Sequence, residues 1–524
     1  MPDGARGGHL RAGPPAGHPE RPDILNENNA VNVDFIDTTF RDGHQSLWAF
    51  GMRSGMMEAV AEDMDNAGFK AIEVPILGIF IKKCIRDLKE DYWELARVLA
   101  RKMPRTPKVG LGGAFILPFE LGTPRSVIEL YYRHLAELGV VDRMQVTCNT
   151  LDQIKRALPW IVPMLRGVGL EVVLALSYTI SPRHTDAYYA ETTRRLLPFK
   201  PDAIYLKDQG GLLTVDRART LLPTIVANAD GIPVELHSHC TTGQAEMVYL
   251  EAMRLGISTL HTAVPPLANG PSQPSVLNVA RNARILGYST SVDDALLQSV
   301  SERLTAFARA DGMPIGAPLE HDAAQYVHQV PGGVISNLKY QLAELGIQDR
   351  LDEVLEECVQ VRKDLGYPIM ITPLSQYVVT QAAINVAKGE RYKLVIDEVL
   401  LHALGVFGED SGYTWMDQDL RDRFLSLPRA EELKKRPNMD VPLEDIREKL
   451  GGPDLSDEEL LLRYVMKGDQ EIRAMRAAGP PRRYHAGLPL AGLVEELGKH
   501  KGVRYVQVQR GGDQLVVRNR SSAV

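Results

Sequence analysis

The 524-residue chain has no excess of basic residues: 60 Lys and Arg stand against 67 Asp and Glu, a formal charge of −7. Nothing general therefore draws it to nucleic acid or to an anionic membrane surface. It has only four cysteines, Cys84, Cys148, Cys240 and Cys358, far apart in sequence and without a CxxC pair. A disulfide framework and a cysteine zinc site are disfavoured, and a reducing, cytoplasmic setting is expected. No apolar run approaches the roughly 18 to 20 residues that cross a bilayer, so no membrane span is expected. Residues 1–30 are rich in Gly, Pro, Arg and His, lack the apolar centre of a secretory signal, and read as a disordered tail.

What is present is the composition of an ordinary globular protein, 44% hydrophobic and 24% charged. At roughly 150 residues per domain, its length allows one large domain with one or two smaller ones. From 31 to 290, short β-branched runs alternate with longer amphipathic segments. Strand candidates fall at 33–40, 71–76, 108–113, 143–149, 171–179, 203–208, 233–239 and 259–264. Helical stretches such as 54–66, 124–138, 186–197, 215–227 and 243–255 lie between them. Eight βα units in about 260 residues predict an α/β fold, a (β/α)8 TIM barrel, in preference to a doubly wound open sheet of similar periodicity. From 291 to 480 the pattern is helix-rich, with candidates at 293–310, 334–345, 351–365, 375–387 and 395–404. It is punctuated by Pro331-Gly332-Gly333 and Gly366-Tyr367-Pro368, and rising charge and proline over 434–452 read as a surface connection. Residues 485–524 read as a small αββ appendage, a helix at 490–499 and strands at 503–509 and 514–518 joined at Gly511-Gly512.

In such a barrel, chemistry gathers at the C-terminal ends of the strands. The first strand runs into a polar cluster, DTTFRDGHQS at 37–46; the sixth ends in Lys207-Asp208-Gln209-Gly210-Gly211; the seventh ends in His237-Ser238-His239. Strand alternation puts His237 and His239 on one side, about 7 Å apart by strand rise. With Asp42 they form a plausible site for zinc, manganese or cobalt. A lysine ammonium beside such an ion would be repelled, so Lys207 must be neutral, directed elsewhere, or chemically changed. A neutral lysine can add CO2 to give a carbamate; a salt bridge to Asp208 or another acid is the simpler alternative. Cys148 reads as a small buried hydrophobe, and alternation points Cys240 away from the histidines.

These motifs, together with KDQGGLL (207–213), LHSHCTTG (236–243), GPSQPS (270–275), SYTISP (177–182), VPGGVISN (330–337) and ITPLSQ (371–376), resemble a known family. It is the carboxyltransferase component of biotin-dependent carboxylases: pyruvate carboxylase, oxaloacetate decarboxylase and transcarboxylase. The likeness spans roughly 33 to 475. It implies a divalent metal held by Asp42, His237, His239 and a carbamylated Lys207, with Arg41 and Gln45 facing substrate or biotin. The implied reaction releases CO2 from carboxybiotin and adds it to the enolate of a 2-oxo acid such as pyruvate, stabilised by the metal and Arg41. The implied partners are a biotin carboxyl carrier protein and a biotin carboxylase subunit, in a homodimer or larger complex. No Met-Lys-Met biotinylation segment or glycine-rich ATP-grasp domain is evident, so separate polypeptides are expected to carry those parts, with the appendage a candidate docking element.

The departures are also specific. Where relatives carry a substrate-binding Arg and Tyr, this chain has Gly112 (in Leu111-Gly112-Gly113-Ala114) and Phe119, and Cys148-Asn149 follows the fourth strand where an acid is usual. Residues 320–326 contain no threonine to relay a proton between substrate and biotin. Asp322 or His321 are replacements chemically able to do so, though a surface-loop role is preferred for both. Two competing readings remain: an aldolase of the acyl-CoA lyase or isopropylmalate synthase type, and a non-catalytic subunit that keeps the fold.

Overall fold

The structure, a computed structural model, describes residues 31–112, 122–147, 150–344, 346–371, 374–408, 413–435, 438–484, 505–510 and 513–518. Eight parallel strands close on themselves: β1 (Asn32–Asp37), β2 (Ala71–Glu73), β3 (Lys108–Gly112), β4 (Arg143–Thr147), β5 (Glu171–Ser177), β6 (Ala203–Asp208), β7 (Val234–Ser238) and β8 (Thr259–Thr262). β1 pairs with both β8 and β2, which completes the barrel. The expected (β/α)8 architecture is thus the observed one. Helices follow the strands on the outside, and Thr150, Thr185 and Thr214 start three of them by accepting a bond from a first-turn backbone N–H.

Alternation decides what each strand buries. Ile204, Leu206, Leu236 and Leu260 face the helices and join the main core. The barrel lumen is filled by small clusters, Ile36 with Ala71 and Val109, and Val173 with Ala175, Ala203 and Tyr205. Above and among these lie Glu73, Gln145, Lys207, Glu235, His237 and His261, all buried. Isolated charges in such a place are expensive, so they are expected to be paired or to hold an ion.

The chain beyond the barrel divides by packing rather than by sequence position. The helix Asp294–Ala310 lays Leu297, Val300, Leu304 and Phe307 on the barrel core. A second core then forms among Gly332–Glu344, Leu351–Asp364, Leu374–Lys388, Asp397–Ala403, Gln418–Leu425 and Pro428–Leu433. Leu443–Leu450, Asp457–Met466 and Gln470–Ala477 return to the barrel, burying Ile446, Leu460, Leu461 and Met475 in its core. The expected surface connection at 434–452 therefore contains a helix with a buried face, because an apolar stripe among charges does not disclose which core it will join. The strands Tyr505–Arg510 and Asp513–Arg518 pair antiparallel as expected. The tail 1–30, the helix expected at 490–499, Gly511-Gly512, Gly113, Ala114, Phe119, Cys148 and Asn149 lie outside the described residues. Among the described residues no helix is long and apolar enough to cross a membrane.

Candidate active site

At the carboxyl end of β1 the chain makes a wide turn over Thr39–Gly43 and enters the short helix His44–Trp48. Thr38 Oγ1 and Asp37 anchor the turn: Thr38 donates to Gln273 Oε1 at 2.6 Å, and Asp37 accepts from the Thr39 N–H and hydroxyl at 3.0 and 2.6 Å. The turn lowers Asp42 toward β6 and β7, where Lys207 and His237 are register partners.

Five of the six residues expected from sequence meet there. Asp42 Oδ2 lies 3.2 Å from His237 Nε2, 3.6 Å from His239 Nε2 and 3.5 Å from Lys207 Nζ, and Arg41 Nη1 lies 3.0 Å from the same oxygen. The two imidazole Nε2 atoms are 3.2 Å apart. Donors 2.0 to 2.1 Å from a tetrahedral zinc are separated by about 3.3 Å, so the edges of this triangle match a shared divalent cation. The donor set, two nitrogens and a carboxylate oxygen, suits zinc, manganese or cobalt. Gln45 is the exception: it sits half-buried on the next helix, and among the described residues its Oε1 has no partner.

The electrostatics are those of a buried, mutually compensating set. Burial would raise the Asp42 carboxyl, but Arg41, Lys207 and the histidines outweigh it and hold Asp42 well below the usual carboxylate range. Burial lowers Lys207 below the ordinary lysine range despite the opposing pull of Asp42, with Arg41 adding to the lowering. Burial likewise drives His237 well below the usual imidazole value, leaving a lone pair available for a metal. Asp208 is not the partner of Lys207; it accepts from Leu212 N, Leu213 N and the Ser238 hydroxyl at 2.7 to 2.8 Å.

Several neighbours were not singled out from sequence. Glu73, a lone acid in an apolar run, receives Arg41 Nη2 at 2.5 Å and thereby ties the first loop to β2. Gln273, within the 270–275 motif, places its amide nitrogen 3.2 and 3.0 Å from the Nε2 atoms of His237 and His239. The Pro271 carbonyl accepts from His239 Nδ1 at 2.6 Å. His261 and Glu235 continue the site inward, as described below. Cys240 is buried and takes no part in the ligand group.

Gly112 does not occupy a substrate-facing position. A Cβ there would overlap the Tyr132 hydroxyl and press on Met144, on the helix side of β3. A cation missing from the lumen is therefore not missing at 112. His321 and Asp322 are exposed; His321 Nδ1 bonds the Thr242 carbonyl at 2.9 Å and Asp322 accepts from Ala324 N, contacts that match the surface-loop reading.

Residues 326–471 match the family model described as a conserved carboxylase domain. Over 381 residues the chain is 37% identical to a pyruvate carboxylase subunit of Methanocaldococcus jannaschii, covering 72% of this chain and 66% of that one, just under two thirds of its length. It is 31% identical to the methylmalonyl-CoA carboxyltransferase 5S subunit of Propionibacterium freudenreichii subsp. shermanii, covering 72% of this chain and 74% of that one. Its fold superposes on the carboxyl transferase domain of Rhizobium etli pyruvate carboxylase, solved with pyruvate and biocytin, with a TM-score of 0.75 and 22% identity over 94% of this chain and 85% of that one.

Proposed function

We propose, from the premise that this chain belongs to the carboxyltransferase family of biotin-dependent carboxylases, that it moves CO2 between carboxybiotin on a separate carrier protein and a 2-oxo acid such as pyruvate or oxaloacetate. The observation that carries the proposal is the convergence of Asp42, His237 and His239 on one point, with Lys207 Nζ 3.5 Å from the shared carboxylate oxygen. A divalent cation held there supplies Lewis-acid polarisation of the 2-oxo group, which makes the adjacent carbon acidic.

The chain's own residues then have distinct tasks. Asp42, His237 and His239 are ligands. Lys207, which burial lowers below the ordinary lysine range, would react as its free amine: Nζ bonds to the carbon of CO2, a proton passes to solvent, and the resulting N-carboxylate would add a fourth ligand and the second anionic oxygen of the set. Arg41, only 1% exposed and braced by Asp42 and Glu73, holds positive charge beside the reacting oxygen. Gln45, whose buried Oε1 has no partner among the described residues, orients substrate or biotin. The helix-rich unit covers the β5 loop through Arg362 and Gln329 and helps exclude water, which would otherwise protonate the enolate. The carrier is recharged by a biotin carboxylase subunit within the same complex.

The test is kinetic. Metal-loaded protein is expected to decarboxylate oxaloacetate faster when free biotin is added. Acetyl-CoA-dependent condensation in its place would make the chain an aldolase, and neither activity would make it a non-catalytic subunit.

A further inference from the structure

The two histidines of the ligand group are held in different ways. His239 donates its Nδ1 proton to a backbone carbonyl, that of Pro271, at 2.6 Å. Among the described residues, His237 has no backbone carbonyl in that role. Its Nδ1 instead faces Nδ1 of His261 on β8 at 3.2 Å, and Nε2 of His261 faces Glu235 Oε2 at 3.3 Å, deep in the barrel. Glu235 is in turn fixed by Arg143 Nη2 at 2.7 Å, with Lys70 Nζ 3.7 Å away and partly exposed. All three residues of the chain are fully buried, and Tyr205 stacks on His261 with ring centroids 5.3 Å apart and an 8° tilt, which restrains rotation of that ring.

For two neutral imidazoles, one assignment of protons satisfies every nitrogen in this line; the alternative, a second proton on His261, would turn the His237 lone pair to Nδ1 and its Nε2–H toward Asp42. Glu235, held by a guanidinium, is an acceptor, so His261 donates from Nε2. His261 Nδ1 is then a lone pair and must accept, so His237 donates from Nδ1. The lone pair of His237 is left on Nε2, the atom that faces Asp42 and His239. Gln273 agrees from the other side: its Oε1 accepts from the Thr38 and Ser272 hydroxyls, which turns its amide N–H toward the same Nε2 atoms.

We propose that His261 and Glu235 are positioning residues, which lock His237 in the Nδ1–H form and so aim its Nε2 lone pair at the metal point. The inference deepens the metal-centre reading and rests on it for its affinity test, but the proton position is measurable without any metal. A partner of this kind on a ligating imidazole raises metal affinity by 10- to 100-fold. The same atoms admit one rival: Glu73, His237 and His261 also approach closely enough to form a second ion site. Against it, Glu73 is already paired with Arg41 at 2.5 Å, which places a permanent positive charge beside any second cation.

The experiment uses the full chain with zinc as the probe. Wild-type protein is expected to bind one zinc per chain by titration calorimetry and elemental analysis. His261→Leu, which removes the acceptor and keeps the bulk, is expected to weaken zinc binding by about 10- to 100-fold. His261→Asn, whose side-chain oxygen stands near the position of Nδ1, is expected to restore affinity to within about threefold of wild type. In the chelated protein, long-range 15N correlation spectra of histidine-labelled samples are expected to show His237 as Nδ1–H in wild type and altered in His261→Leu. Unchanged zinc affinity in a folded His261→Leu protein would overturn the proposal, as would two zinc ions in wild type falling to one. If wild type binds no zinc, the metal reading fails by itself, and the spectra still decide: Nε2–H at His237 in wild type overturns the proposal, Nδ1–H supports it. The wild-type spectra serve equally if His261→Leu does not fold.

Discussion

Lys207 is the residue on which the proposed chemistry turns, because burial and the neighbouring Asp42 pull its charge in opposite directions. Lys207→Ala is expected to lower metal occupancy and oxaloacetate decarboxylation together, by at least the 10- to 100-fold that loss of a ligand's outer partner costs. Added short-chain carboxylates, supplying the missing oxygen, are expected to restore part of both, as read by elemental analysis and rate. His402 offers a test in the second core. Its Nε2 donates to the Leu365 carbonyl at 2.9 Å and its Nδ1 accepts from Tyr377 at 3.0 Å, and burial drives it down to about 4. Between that value and about 6.5 the unfolded chain binds the extra proton, so stability falls as pH falls through this window, by about 1.4 kcal/mol per pH unit. The stability advantage of wild type over His402→Gln is expected to shrink by about 2 kcal/mol from pH 7 to pH 5, measured as urea unfolding free energies. At this scale Asp42, His237, His239 and Lys207 were legible because strand period and strand-end position point to them. His261 and Glu235 were not, since the contact between them crosses from β7 to β8 and depends on which side chains fill the lumen.

Among the elements, the helix Ser54–Asn66 shows how closely the chain's C-terminal part is fitted to the barrel. A Cβ on Gly55 would overlap the Arg482 carbonyl. Beside it, Tyr484 packs on Phe307 with centroids 5.0 Å apart and its hydroxyl bonds Asp311, while Arg482 pairs with Asp311 at 2.7 Å. Helix propensity alone favours alanine over glycine by about 1 kcal/mol. Gly55→Ala is nevertheless expected to release residues 480–484, seen as faster amide exchange and protease cutting there, with exchange in β1–β8 unchanged. The strand candidates matched the observed strands to within a few residues. Most ended early at the carboxyl side, where backbone leaves the ladder to form the site loops, as at 38–40. The helices 443–477 were harder to place, because an amphipathic face states that a core exists and not which one.

In the whole molecule, the two cores are joined by polar contacts that include a cluster on the β5 loop, beside bonds from Gln153 Nε2 to the Phe407 carbonyl at 2.8 Å and from Gln209 Nε2 to the Met370 carbonyl at 3.4 Å. Arg362 reaches from the second core to bond Thr179 Oγ1 and the Ile180 carbonyl, both at 3.0 Å, and Gln329 bonds the same two residues. Arg362 Nε also donates to the Pro368 carbonyl at 3.1 Å. Removing a buried cation with several such bonds costs about 3 kcal/mol. Arg362→Ala is expected to leave each core intact but uncouple them, so that calorimetry resolves two transitions, the 330–433 unit melting first. The barrel itself was legible as a repeating βα pattern. Its division from the rest was not, because the segment that completes it follows the second core in sequence.

That return has a consequence for synthesis. Trp93 donates to the Glu458 carbonyl at 3.2 Å, His134 and Arg97 meet the Glu458 carboxylate, and Lys89 meets Glu471. A ribosome making this protein therefore extrudes all eight staves long before the helices that seal one flank. The intervening unit emerges while that apolar flank is still bare, and the nascent barrel keeps it exposed to water until residues 443–477 are made.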